Sequence, residues 1–556
     1  MALKVPANDI EKEIFEIWAA ISPNKAFGEG YSEYAGKIFV PTEENEARLK
    51  SRIVEIRKRT DDEVYLRHLD SMEVDIDFHE PYRVPDAATW GFFGHIIKEG
   101  VNEEHLTSFT NSVMDAMDAA KAELSGKEWS TEVKVVTVNN CIGLLAMAKA
   151  VRGMTQSSEL GSKLLDLEKL TAEYRKPFDV PEIEQGNFDE VYPILEKRGG
   201  DIGRKQIYPR ILKEQYGYTE KDAGEVEAKG LKWLDDELPL LNEVASRIAK
   251  RCGCDPTPEA VAGAISKMRA VKGDELLKFL HGFRKAVHPV MQNRIVRVNP
   301  NYNTKIMETP EYLLNQISTA AMSTYDSLTD DQFNVFFVTT DPRYAAPAGK
   351  PDLTQTLIHE EYGHCVHFSN SSFGYGAKPG FVEMLSTRLA LPVSDGISFY
   401  RELEFMRLLR KLVESPNSEL GGEDMEFLKF VETIGPLDEV ADEVEFIVRE
   451  WRILRFLRAI GDTRINMHKQ SLYEFINWAH EKTGLSKKMV FSQIFIFQAM
   501  VGYAPCYSMA GERLREIQET AVANGKDVVD FNTYACSLGV PAREIWEKKL
   551  VEWANG

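Results

Sequence analysis

Residues 220–251 read EKDAGEVEAKGLKWLDDELPLLNEVASRIAKR, and this stretch decides the class of fold. Apolar side chains recur every three or four positions, at Leu231, Leu234, Leu238, Leu241, Ala245 and Ile248, with charges between them. That spacing gives a helix one apolar stripe to bury and one charged face for water. Thr219, with Asp222 three residues on, resembles a capping box at its start. The same periodicity fills residues 11–21, 43–59, 103–124 and 160–174, and Pro258 sits where a helix beginning after Thr257 would take a proline. Strand signals are few. Residues 294–298 and 334–340 are β-branched or aromatic runs, each followed by Asn-Pro or Asp-Pro. After residue 379 the pattern is helical again. The chain is therefore expected to be mainly α, with a small β-sheet, and to divide near residue 280 into lobes of 1–280 and 281–556.

Composition narrows the function classes. A chain of 556 residues with 43% hydrophobic content can bury a large core, which excludes a disordered protein. Lys and Arg number 67 against 87 Asp and Glu, a net charge of −20, so nucleic acid is not an expected partner. No window approaches the roughly 18–20 consecutive apolar residues of a membrane span, and the first residues lack the apolar core of a signal peptide. The expected address is the cytoplasm, with no membrane partner. Six cysteines are too sparse for a disulfide scaffold and read as free thiols. Cys252 and Cys254 have no second pair to complete a thiolate metal site, so they read as part of a structural loop.

The chemistry is concentrated in residues 356–368, TLIHEEYGHCVHF, which hold His359, His364 and His367 of the chain's 11 histidines. A zinc-binding helix usually presents two imidazoles four residues apart, with a glutamate beside the first. Here the spacing is five. On a regular helix five residues turn through about 140°, too far for one ion. A π-bulge absorbs one extra residue, and Gly363 is the place where the backbone would deform most easily. The alternative pair is His364 with His367. The bulged pair His359/His364 ranks first because it keeps Glu360 next to a ligand. Nineteen residues after His364, Glu383 opens another apolar helix; as third ligand it would complete a His/His/Glu set with one zinc position left for water. Its other reading is an N-terminal carboxylate stabilised by the helix dipole.

The stretch from His359 to His367 resembles the zinc helix of the thimet oligopeptidase family, HEFGHxxH, with one residue inserted. Phe381-Val382-Glu383 resembles that family's third-ligand segment. The lengthened form HExxGH is shared with dipeptidyl peptidase III. Residues 502–513, GYAPCYSMAGER, are similar to the family's tyrosine region, with Tyr503 and Tyr507 matched and the third tyrosine replaced by Ala510. The resemblance covers about residues 334–513. It implies a gluzincin zinc metallopeptidase: a two-lobed helical ellipsoid with a deep channel, one Zn2+ on His359, His364 and Glu383, and short peptides as substrates. Glu360 would be the general base, with Glu361 as the alternative, and Tyr507 or Tyr503 would stabilise the oxyanion. The strand at 334–340 would pair with substrate backbone. The mode would be that of an oligopeptidase or carboxypeptidase, the latter if Arg513 and Arg515 bind a terminal carboxylate, or that of a dipeptidyl peptidase. His281 and His288 would approach the channel or serve structure. The rival reading is a catalytically silent helical protein that binds peptides or a partner.

Overall fold

The computed structural model describes residues 2–124, 126–313, 317, 320–340 and 349–556. The protein is mainly α, with one three-stranded sheet among the described residues. The helices used below are α1 (Glu103–Leu124), α2 (Thr131–Met154), α3 (Ser158–Arg175), α4 (Ala223–Cys252) and α5 (Gly273–Arg294), followed after the sheet by α6 (Lys350–Leu357), α7 (Val366–Phe373), α8 (Ala390–Glu414), α9 (Leu437–Asn466) and α10 (Cys506–Ala523).

The stretch quoted at the outset forms α4. Its cap is Asp222 itself, whose side chain accepts from Glu225 N, rather than Thr219. It ends where Gly253 turns left-handed at φ 67°, between Cys252 and Cys254, so this pair lies at a helix terminus. The apolar stripe of α4 packs along α9, and the two backbones approach closely: a Cβ on Gly230 would lie 2.9 Å from Ile460. Both helices join the larger apolar core, together with α1, α2 and α3. By length and hydropathy α2 is apolar enough to cross a membrane, but 61% of its apolar window is buried within the protein.

The strands β1 (Thr304–Glu308), β2 (Ala320–Tyr325) and β3 (Phe333–Val338) are ordered β1-β3-β2. Strand β3 runs parallel to β1, with Ile306 opposite Phe336, and antiparallel to β2, with Met322 opposite Phe336. Two expectations are corrected here. The run at 334–340 does form a strand, but as the central one; both its edges are already paired, so it has none to offer a peptide backbone. The run at 294–298 is not a strand. Arg294 ends α5, and side chains serve the following backbone: Asn532 donates to Ile295 O, Asn370 to Arg297 O, and Arg297 N donates to Thr533 Oγ1. The hydrophobic residues are buried there, with polar side chains replacing a neighbouring strand.

Candidate metal centre

Residues Ile358–Cys365 form a π-helix between α6 and α7. A turn widened by one residue returns position i+5 to the face of position i. The rings of His359 and His364 consequently meet, with centroids 4.9 Å apart and planes at 82°. Gly363 has a second role beyond backbone freedom. It lies against α8 so closely that a Cβ would stand 2.2 Å from Ser398 Oγ and 2.6 Å from Ser398 Cα.

From α8, Asp395 reaches the same point. One ligand atom each from His359, His364 and Asp395 lies within 4.8 Å of the others, and all three residues are buried. His364 Nε2 stands 3.5 Å from Asp395 Oδ1. The remaining ring nitrogens are tied back. His359 Nδ1 donates to Glu402 Oε1 at 2.6 Å, and His364 Nδ1 shares a hydrogen bond with Ser394 Oγ at 2.7 Å. The outward nitrogen of each imidazole is thus engaged, which turns Nε2 inward as the atom a metal would take. Glu402 is in turn gripped by Arg455, at 2.7 and 3.1 Å. Two oriented imidazoles and one carboxylate fit a first-row divalent ion such as zinc.

Electrostatics follow the same geometry. Burial raises the carboxyl of Asp395, but His364 and His359 outweigh it and hold the group below its ordinary range. Burial likewise opposes ionisation of Glu402, and Arg455 with His359 reverses the effect. For His364 burial lowers the pKa, while Asp395 and the nearby Glu360 raise it further, so the net shift is upward. Tyr503 donates to Asp395 Oδ2 at 2.8 Å, and the hydroxyls of Tyr503 and Tyr507 are 2.9 Å apart. The Tyr507 ring lies nearly parallel to His359, 6.3 Å between centroids. Burial, then Asp395, raises both phenols, which keeps them protonated.

The other residues singled out in the sequence are placed as follows. Glu383 is not in the cluster: it lies on a single 3-10 turn, Val382–Met384, accepts from Gly380 N and pairs with Lys549. Glu361 faces away into the protein, where Arg284 and Tyr302 hold one of its oxygens, while half-buried Glu360 is the one beside His364. His367 donates from Nε2 to Gly539 O. Ala510, where the family has a third tyrosine, packs against Gly396 with no room for a ring. Arg513 is paired to Glu516, and Arg515 to Glu512 and Glu519. His288 meets Tyr362, and His281 is exposed.

Sequence reasoning missed Asp395, Glu402 and Arg455. The readable signals were two: Asp395 and Glu402, carboxylates two helical turns apart on α8, and arginines every third residue, 449, 452, 455 and 458, along α9.

No protein-family model matches the chain, and no curated protein matches it. Two solved structures share the fold over nearly its whole length. One is described as a "putative lipoprotein" of Colwellia psychrerythraea: 12% identity, 98% of this chain and 99% of that one, TM-score 0.64. The other is described as a "putative lipoprotein of unknown function" from Shewanella oneidensis: 14% identity, 98% and 100% coverage, TM-score 0.67.

These findings correct the reading built on the resemblance. No peptidase family matches, and the whole-length neighbours are described as lipoproteins, one of unknown function. The chain is therefore not assigned to the thimet oligopeptidase or dipeptidyl peptidase III families. Zinc metallopeptidase activity, as oligopeptidase, carboxypeptidase or dipeptidyl peptidase, is likewise not assigned to it.

Proposed function

We propose that this protein binds one divalent metal ion, zinc by its donor set, between His359, His364 and Asp395. The observation that carries the reading is the convergence of three ligand atoms within 4.8 Å from two different elements. The outward nitrogen of each imidazole is fixed by Glu402 or Ser394, which supports it further. An ion with three protein ligands keeps a fourth position for water or a ligand atom. Among the described residues one other group, Glu46, His79 and Glu123, has metal-capable atoms as close. There, however, the two ring nitrogens of a single histidine turn to separate carboxylates, which divides the cluster instead of focusing it.

Calorimetric titration of chelator-stripped protein with zinc, with elemental analysis after dialysis, tests the reading. One equivalent is expected for the native chain and for Glu383→Ala. His359→Ala and Asp395→Ala should each lose it. A native chain that takes up no zinc, or an Asp395→Ala variant that binds as tightly, would overturn the assignment.

A further inference from the structure

Four arginines follow one another at three-residue intervals along α9. Arg449 pairs with Glu237 and Glu445. Arg452 pairs with Glu237 and Glu512, and Arg455 with Glu402. Arg458 breaks the series. It is 93% buried, being 7% exposed, yet it forms no ion pair with any described residue. Its hydrogen bond is from Nη2 to the neutral Gln493, and its Nε has no partner.

What surrounds Arg458 is aromatic. The guanidinium lies 4.5 Å from the ring centroid of Phe497 and 5.0 Å from that of Tyr507. Such contacts offset part of the cost of burying a cation and leave its charge unneutralised. The acid on the far side of Tyr507 is Asp395, linked through the hydroxyls of Tyr507 and Tyr503. If Asp395 is spent on a metal ion, Arg458 loses the influence of that acid as well. With a dication in place, the ion and the two arginines would face Asp395, Glu402 and Glu360, an excess of positive charge beside the ring of Tyr507.

We propose that Arg458 is the anion-recognition residue of this site, taking the carboxylate or phosphate of a small ligand that binds beside the His359/His364/Asp395 ion. The proposal rests on the metal reading above. A guanidinium wedged between two rings that stand at 87° to each other has little freedom to turn, and its planar fork suits a carboxylate or phosphate through parallel N–H donors. Arg513 and Arg515, the arginines that the sequence pointed to for this role, are already paired with glutamates and are not available for it.

The probes are succinate and inorganic phosphate, titrated calorimetrically into zinc-loaded native protein, Arg458→Gln and Arg458→Lys. Zinc stoichiometry is measured on each variant beforehand. Native protein should bind one of the two anions, and the one bound identifies the ligand class. Arg458→Gln should weaken that binding at least tenfold while keeping one zinc, and Arg458→Lys should recover part of the loss. If neither anion binds, or if Arg458→Gln and the native chain bind equally, the anion site is overturned with the metal site intact. Should Arg458→Gln fail to fold, Arg458→Lys decides: affinity and salt dependence identical to native would also overturn it. Loss of zinc from the native chain is a separate result, which removes the metal reading instead.

Discussion

His359 is held by a carboxylate that is itself held by an arginine. Glu402 lies fully buried between His359 Nδ1 and Arg455, so it sets the ring orientation without standing among the inward-facing ligand atoms. Outer partners of this kind fix the tautomer and raise the basicity of the ligand, and losing one typically costs about 10–100-fold in metal affinity. Glu402→Gln keeps the volume but removes the charge that favours an Nδ1 proton. Its zinc affinity should fall by about that factor, with stoichiometry unchanged, as read by competition with a chelating dye. Affinity equal to native would mean that Ser394 and Asp395 suffice to orient the site. At this scale the sequence disclosed only part of the cluster. His359, Glu360 and His364 stand out because they crowd one short segment. Asp395 and Glu402 do not, because they lie 31 and 38 residues beyond His364, on a helix whose remaining face reads as ordinary core. Glu383 reads as a third carboxylate because it opens an apolar run nineteen residues after His364, and nothing in sequence could reveal that Lys549 is its partner.

The π-helix is the element that converts a five-residue spacing into a single face. Its need for one extra residue was legible, since an α-helix would separate the two imidazoles by about 140°. The reason for Gly363 was not. The sequence suggests local deformability, whereas the structure shows the π-helix pressed onto α8 at the backbone of Ser398. That contact carries Asp395, one turn earlier on α8, to the two rings. Gly363→Ala should push the elements apart, at a cost of about 1–3 kcal/mol for overpacking. It should also weaken zinc binding more than an equally destabilising substitution in the distant core between α1 and α3. Thermal unfolding with and without zinc measures both effects. A variant with native stability and native zinc affinity would show that the two elements can separate without disturbing the cluster. The central place of β3 was hidden for a related reason: β1 (TKIME) and β2 (AAMSTY) carry little of the β-branched alternation that marks a strand, and they pair because β3 lies between them.

Across the whole molecule, the helical class follows from periodicity that runs almost from end to end, but the pH dependence of stability follows from burial that no periodicity reveals. Glu450, on α9, is 3% exposed, and its Oε1 has no hydrogen-bond partner. Burial, reinforced by Asp352 of α6, raises its pKa from 4.5 to about 8. The sign follows directly. Below about pH 4.5 the carboxyl is protonated in both folded and unfolded chains and contributes no difference. Between that value and about pH 8 the unfolded chain releases the proton while the folded one retains it, so this contribution to stability declines as pH rises, and it levels off above. The full decline is of order 2–5 kcal/mol. Glu450→Gln removes the titration and keeps the shape. For cooperative unfolding of a chain this long, about 1 kcal/mol per degree, the variant should melt about 2–4 °C above native at pH 8. The gap should close as pH falls toward 4.5. His367 and His68 act in the opposite direction: burial lowers them to about 4 and about 3, so their contribution is lost as pH falls below their ordinary value of 6.5. Glu450→Gln leaves both histidines unchanged, so only the decline above about pH 4.5 should differ between the variant and the native chain. A melting difference between the two chains that stays constant from pH 5 to pH 8 would mean that Glu450 is ionised in the folded protein throughout, with a neutralising partner close by.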